Sequence, residues 1–183
     1  MKWNFLILLT LAATSCQDQN LNNVMTYRQE AAKPVVALLP IIDRTKQNLS
    51  SELTDAMRYK LNQTNTLFLV DSHEFSHAIT TRDLSHFFGT DLAWLREEFE
   101  RDEFAVFLEL VEHKENTKSQ LSMTLRLRVV DLRKKEPQVI LQELISQSHT
   151  INNSSSIAMA HQLLIQEASS RIQDYILLAR GGS

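Results

Sequence analysis

Residues 73–77 read His-Glu-Phe-Ser-His, an H-E-x-x-H pattern. On a helix, histidines four residues apart share a face and can ligate zinc, and the glutamate between them can act as general base. The setting argues against that chemistry. The pattern follows an apolar strand-like run directly, and helical signal fades by Thr80-Thr81. A third ligand at metzincin spacing falls on Asp83 with no glycine between, and His86 is out of register. Six histidines among 183 residues also make a chance match easy. The expectation is a solvated helix start that holds no metal, with zinc well below one equivalent in the purified protein. No hydroxyl, imidazole and carboxylate share a turn context suited to nucleophilic catalysis. Three glycines leave no room for a phosphate-cradling loop, and GxGxxG, GxxxxGK[ST] and GxSxG are all absent. The chain reads as a non-enzymatic protein without a cofactor.

Basic side chains are the next candidates. Arg126 and Arg128 alternate with apolar residues in one strand-like run, and Arg133, Lys134 and Lys135 follow at its end. The ordinary reading is a charged face that keeps a strand soluble. The sharper reading makes Arg126, Arg128, Arg133 and Lys134 a dock for an acidic protein partner or a lipid phosphate. A formal net charge of −3 gives no basic bias toward nucleic acid.

Cys16 is the only cysteine. Lys2 forms a thin positive start, and Phe5 to Ala13 is an apolar run too short to span a bilayer. Ala13-Thr14-Ser15-Cys16 resembles a bacterial lipobox, with Ala13 where leucine is usual. Residues 1–15 are therefore read as a lipoprotein signal peptide and Cys16 as the lipidated residue that anchors the mature chain. Gln17 after it resembles the outer-membrane sorting pattern of enteric bacteria. Losing residues 1–15 removes only Lys2, which moves the charge from −3 to −4. Residues 16–33 are polar and aperiodic, a tether with an extended reach of about 60 Å and a coil span of about 23 Å.

A single domain over residues 34–180 must position these groups. Val35 to Leu39 is an apolar run between Pro34 and Pro40, a buried strand that Ile41 and Ile42 can extend. Asn48 or Ser50 can cap a helix whose Leu49, Leu53, Ala56, Met57 and Leu61 form one apolar face. Leu67 to Val70 is the next strand, and a strand, helix and strand within about forty residues favour parallel pairing. A helix over 91–99 carries Trp94 toward the core. Strands follow over 104–111, 119–131 and 139–146, with polar turns at 113–118 and 133–137. In the middle one, Leu121, Met123, Leu125, Leu127 and Val129 alternate with mostly polar residues, so one face is buried. A final amphipathic helix runs from about 156 to 179 and ends at Gly181-Gly182. The order β-α-β-α-β-β-β-α describes an α+β two-layer sandwich, a mixed sheet with helices packed on one face. Its hairpin turns are too short to hold pore-forming transmembrane strands.

VVALLPIIDRT, the helix, and LFLVDS together resemble the opening of envelope lipoproteins related to the penicillin-binding-protein activator LpoB and the curli-secretion lipoprotein CsgG. FAVFLELVEH and LSMTLRLRVVDLRKKEPQVILQE are similar to that family's later strand and hairpin, over most of residues 34–146. Isoleucines replace the family's phenylalanine before Asp43-Arg44-Thr45, acidic Asp102-Glu103 replaces a Gly-Ala-Asp lead-in, and the hairpin lacks its Thr-Gly. The closing helix is similar to that of the lipopolysaccharide-assembly lipoprotein LptE, which lacks the insert between Ser72 and Phe104. The resemblance implies a non-enzymatic lipoprotein anchored in the outer membrane and facing the periplasm. Its partner would be a penicillin-binding protein, or alternatively the lipopolysaccharide-transport barrel.

Overall fold

The computed structural model of the chain describes residues 33–70 and 84–181. Six strands form one mixed sheet: β1 (Val35–Leu38), β2 (Ile42–Asp43), β3 (Phe68–Leu69), β4 (Phe104–Glu115), β5 (Gln120–Asp131) and β6 (Gln138–Thr150). The helices are α1 (Ser50–Gln63), α2 (Ala93–Glu98) and α3 (Ser154–Gly181), with a 3-10 helix over Leu84–Phe88. The strand order is β3-β1-β4-β5-β6, and β2 continues beside β4 where β1 leaves it. β1 pairs parallel with both β3 and β4, so α1 is the crossover the sequence leads one to expect. β4, β5 and β6 form an antiparallel meander. The α+β class and the mixed sheet with helices against it are as read from the chain.

Alternation decides what each face holds. Leu121, Met123, Leu125, Leu127 and Val129 of β5 join Val36, Leu38, Phe104, Val106 and Leu108 under α1 and α3. Helix α3 contributes Ala160, Leu164, Ile165, Ala168, Ile172 and Ile176 to that core, and α1 contributes Leu53, Met57 and Leu61. The expectation of helices on one face only is corrected: the 84–99 segment lies over part of the opposite face, because its own aromatics bury there. There Phe87, Trp94, Leu95 and Phe99 pack on Ala37, Leu39, Ala105, Phe107 and Val130. The Phe87 and Trp94 rings meet edge to face at 5.6 Å.

Several boundaries move, each for a physical reason. β4 continues through His113 to Glu115, a stretch whose polarity reads as a turn, because Leu121, Ser122 and Met123 of β5 supply its partners. Helix α1 is capped from a distance: neither Asn48 nor Ser50 is its N-cap, which is Leu49. The Asp43 carboxylate instead accepts from the Leu49 N–H at 2.9 Å, and from the Thr45 N–H and hydroxyl. Burial opposes the charge on Asp43, but these hydrogen bonds outweigh it and hold its pKa below the usual value. The Thr54 hydroxyl accepts from the Ile41 N–H at 2.8 Å and donates to the Ser50 carbonyl, tying the end of the β1–β2 run to α1. Asn153 accepts from the Ser156 N–H at 3.0 Å and fixes the start of α3. A cluster of titratable side chains sits within the helix-covered face. His113 and His161 bring their Nε2 atoms to 3.0 Å, and His161 Nδ1 lies 3.1 Å from Glu52.

Candidate functional site

Among the described residues, the sheet face opposite α1 and α3 is only half covered, and the half they leave open is the candidate docking surface. β4 supplies Glu109 and Val111, β5 supplies Thr124 and Arg126, and β6 supplies Gln142 and Leu144. Glu109 stands opposite Arg126, and Arg126 opposite Leu144. The register slips between Leu110 and Glu112, so Val111 is the extra residue of a bulge and is 40% exposed. Leu144 is 64% exposed, large for an aliphatic side chain in a strand.

Charge on this face is arranged around Glu109, which is only 4% exposed. Arg44 Nε donates to its Oε1 at 2.7 Å, and Arg126 Nη1 to its Oε2 at 3.5 Å. Two cations over one buried carboxylate leave the cluster net positive. Arg44 belongs to the Asp43-Arg44-Thr45 turn, so the bonds that hold that turn also aim Arg44 along the sheet. The Arg126 guanidinium also lies 4.3 Å from the centre of the Phe88 ring. Arg126 thus sits between an acid, an aromatic face and two exposed aliphatics, half open to solvent.

Arg128, two residues on, does different work. It is 5% exposed. Its guanidinium donates to the carbonyls of Phe87, Phe88 and Gly89 and to Gln142 Oε1. Every one of these partners is neutral. Burial, with Arg126 nearby, lowers its pKa from the ordinary arginine value. The side chain therefore fastens the 84–89 segment to the sheet. Arg133 and Lys134 lie apart from this face. Arg133 pairs with Asp131 at 2.8 Å, donates to the Ala179 carbonyl, and covers the Phe104 ring at 4.8 Å. The hydrogen bond to Asp131 raises its pKa, while burial of Asp131 is outweighed by Arg133, which lowers the carboxyl's own. Lys134 Nζ donates to Gln138. Of the four basic residues singled out from the chain, Arg126 and Arg128 come together, and of that pair Arg126 is the one presented to solvent. Arg44, Glu109, Phe88, Val111 and Leu144 complete the face and were not singled out. An acid inside the apolar run FAVFLELV was the one available signal for Glu109. Cys16 and the HEFSH stretch lie outside the described residues, and among the described residues no cluster of three or more metal-ligating side chains occurs.

Residues 22–158 match DUF7499, a family of unknown function. The chain belongs to that family. No curated protein matches this DUF7499 chain in sequence. Among solved structures, the hypothetical protein CT253 from Chlamydia trachomatis is 24% identical with a TM-score of 0.67, over 79% of this chain and 98% of that one. Lipoprotein GNA1162 from Neisseria meningitidis is 11% identical with a TM-score of 0.50, over 73% of this chain and 94% of that one. The LpoB C-terminal domain from Escherichia coli is 18% identical with a TM-score of 0.42, over 64% of this chain and 83% of that one, and at that score carries no weight. These likenesses are likenesses of fold. The DUF7499 chain has a lipoprotein-like fold, one that a known lipoprotein also adopts.

Proposed function

We propose that the mature protein is a non-enzymatic lipoprotein of the cell envelope, anchored through Cys16 in the outer membrane and facing the periplasm. Its uncovered sheet face docks a protein of the envelope-assembly machinery. The observation that carries the docking reading is Arg126, its side chain 35% exposed between Glu109 and Phe88 and bordered by Leu144 and Val111. Arginine is enriched among interface hot spots, and the exposed aliphatics beside it are surface a partner would cover, whereas a merely solvated strand face has no need of Leu144. The fold shared with a lipoprotein and the lipobox-like run before Cys16 support the envelope placement.

The resemblance of VVALLPIIDRT and LFLVDS to LpoB and CsgG relatives favours a penicillin-binding protein as partner, which the docked domain would activate. The tether favours the alternative. A reach of about 60 Å plus a domain of roughly 30–40 Å is short for crossing the periplasm to an inner-membrane synthase. A lipopolysaccharide-transport barrel beside the anchor needs no such reach, and Arg126 would suit a lipid phosphate there. Intact mass of the membrane-extracted protein tests the anchor: a chain that begins elsewhere than at a lipidated Cys16 overturns it. A photoreactive residue at Leu144, activated in the native envelope, tests the partner. Capture of a penicillin-binding protein supports the first reading, and capture of the barrel the second. Capture of a different envelope protein would leave only the envelope-lipoprotein reading, and capture of none, with the label shown to be active, overturns docking on this face.

A further inference from the structure

The two edges of the sheet are treated differently. β3 is two residues long, a minimal edge. β6 is thirteen residues long, QVILQELISQSHT, and its outer side pairs with no other strand among the described residues. Natural edges are blunted by lysine, proline or inward-pointing charge. β6 has no lysine or proline, and its one inward-pointing carboxylate, Glu143, has Arg171 of α3 at 3.8 Å rather than standing as a lone charge against a neighbouring strand. Above this edge lies the outer flank of α3, with Leu163, Glu167, Ser170 and Arg171 along an open groove beside Gln147.

We propose that the β6 edge and the α3 flank form a two-fold interface joining two copies of this chain. Contacts within one copy locate the axis. Gln147 Nε2 donates to Glu167 at 2.8 Å, and Arg171 lies 3.8 Å from Glu143. The midpoint of Glu143 and Gln147 is Ile145, so Ile145 lies level with the midpoint of Glu167 and Arg171 on the helix above. An antiparallel β6 pair centred on Ile145 sets Glu143 opposite Gln147 of the second copy and Leu144 opposite its Ser146. The same axis sets Glu167 of α3 opposite Arg171 of the second copy, and Arg171 opposite its Glu167. Glu167 and Arg171 each meet their complement across the axis, and Glu143 meets a neutral amide, so these three set no like charges against each other in a self-complementary two-fold contact. The bulge that shifts register near Val139 ends the ladder at about Ile140.

The pairing adds main-chain hydrogen bonds along about ten residues and covers Leu163. It leaves Arg126 open and brings Leu144 beside Ser146 of the second copy, so a crosslink from Leu144 to that copy reports the dimer and one to an envelope protein reports docking, and the two readings fail separately.

The test uses the full chain carrying Leu144→Cys and Ser146→Cys, oxidised at micromolar concentration beside the unsubstituted chain, which controls for Cys16. The expected result is a reducible covalent dimer as the main product. Adding Arg171→Glu sets acid against acid across the seam and should cut the yield at least tenfold. Adding Glu167→Arg to that variant restores opposite charges and should restore the dimer, which a misfolded helix would not do. Dimer yield no higher than in the unsubstituted chain, or yield untouched by Arg171→Glu, overturns the proposal. So does a sedimentation mass showing a monomer or an assembly larger than a dimer.

Discussion

The two faces of the sheet are held by different physics. Beneath α1 and α3 the contact is continuous apolar burial, with aliphatics at alternate positions of β4, β5 and β6 meeting the helix stripes. Over the opposite face, the 84–99 segment has a smaller apolar cluster and leans on arginines. Arg128 fastens the carbonyls of residues 87–89. Arg96 donates to the carbonyls of Leu132 and Lys134 from the other end of the segment. The hydrophobic effect is non-directional and forgives small shifts. A guanidinium fork fixes orientation. The difference teaches where the molecule can afford an open surface. A polar-stapled cover can stop midway across a sheet, because its last residue need not bury an apolar stripe.

The comparison can be broken from either side. Leu164→Ala, at a fully buried site under the helix face, should cost about 3–4 kcal/mol in chemical denaturation. A loss below about 1 kcal/mol would mean that α3 contributes little to the core. Arg128→Leu removes the fork and leaves carbonyls and Gln142 in need of partners, costing about 2–3 kcal/mol. It should also change the Trp94 environment, seen in fluorescence, while the far-ultraviolet dichroism of α3 stays unchanged. An effect spread over both signals would merge the two faces into one cooperative unit.

A subtler difference is pH dependence, confined to the helix-covered face. Burial, then the neighbouring His161, lowers the pKa of His113, with Asp43 and Glu52 opposing. The unfolded chain then binds a proton more readily than the folded one. Stability from this group is present above the ordinary histidine pKa of about 6.5 and falls as pH drops from there through the lower folded value. His113→Gln should flatten that acid limb of the stability profile, and an unchanged slope would move the effect to other groups. The smallest expected effect is Arg126→Ala. Its side chain is half exposed, so stability should shift by less than about 0.5 kcal/mol, while crosslinking of an envelope partner through Leu144 should fall at least fivefold. A large stability loss with unchanged capture would recast Arg126 as a second staple.

Much of the helix-covered face was legible in the chain because its signal is periodic and local. Leu121 through Val129 announce both the strand and its buried side, and Ile157 through Ile176 announce α3. The partly covered face was harder to read. Arg126 and Arg128 share a side by alternation, which the sequence shows. What separates them is a roof made of backbone carbonyls at 87–89, and carbonyls have no residue type to read. The extension of β4 through His113 was likewise hidden, since its cause is the partner strand and not its own polarity. Asp43 capping a helix six residues downstream is a tertiary substitute for the local Asn or Ser cap that propensity favours.

The placement of β1 has a consequence for how the protein is born. β1 sits between β3 and β4, so Val36 must wait for Phe104 before its pairing is complete. At about 5–20 residues per second of synthesis, that interval of roughly 70 residues lasts several seconds. During it an apolar segment is out of the ribosome with one side of its ladder empty. Its brevity, and the prolines at 34 and 40 that close it at both ends, are the features that keep such a segment from pairing with a neighbouring chain first. The meander β4–β6 then arrives as a contiguous unit, and the last-made helix seals a sheet whose first-made strand had been waiting for it.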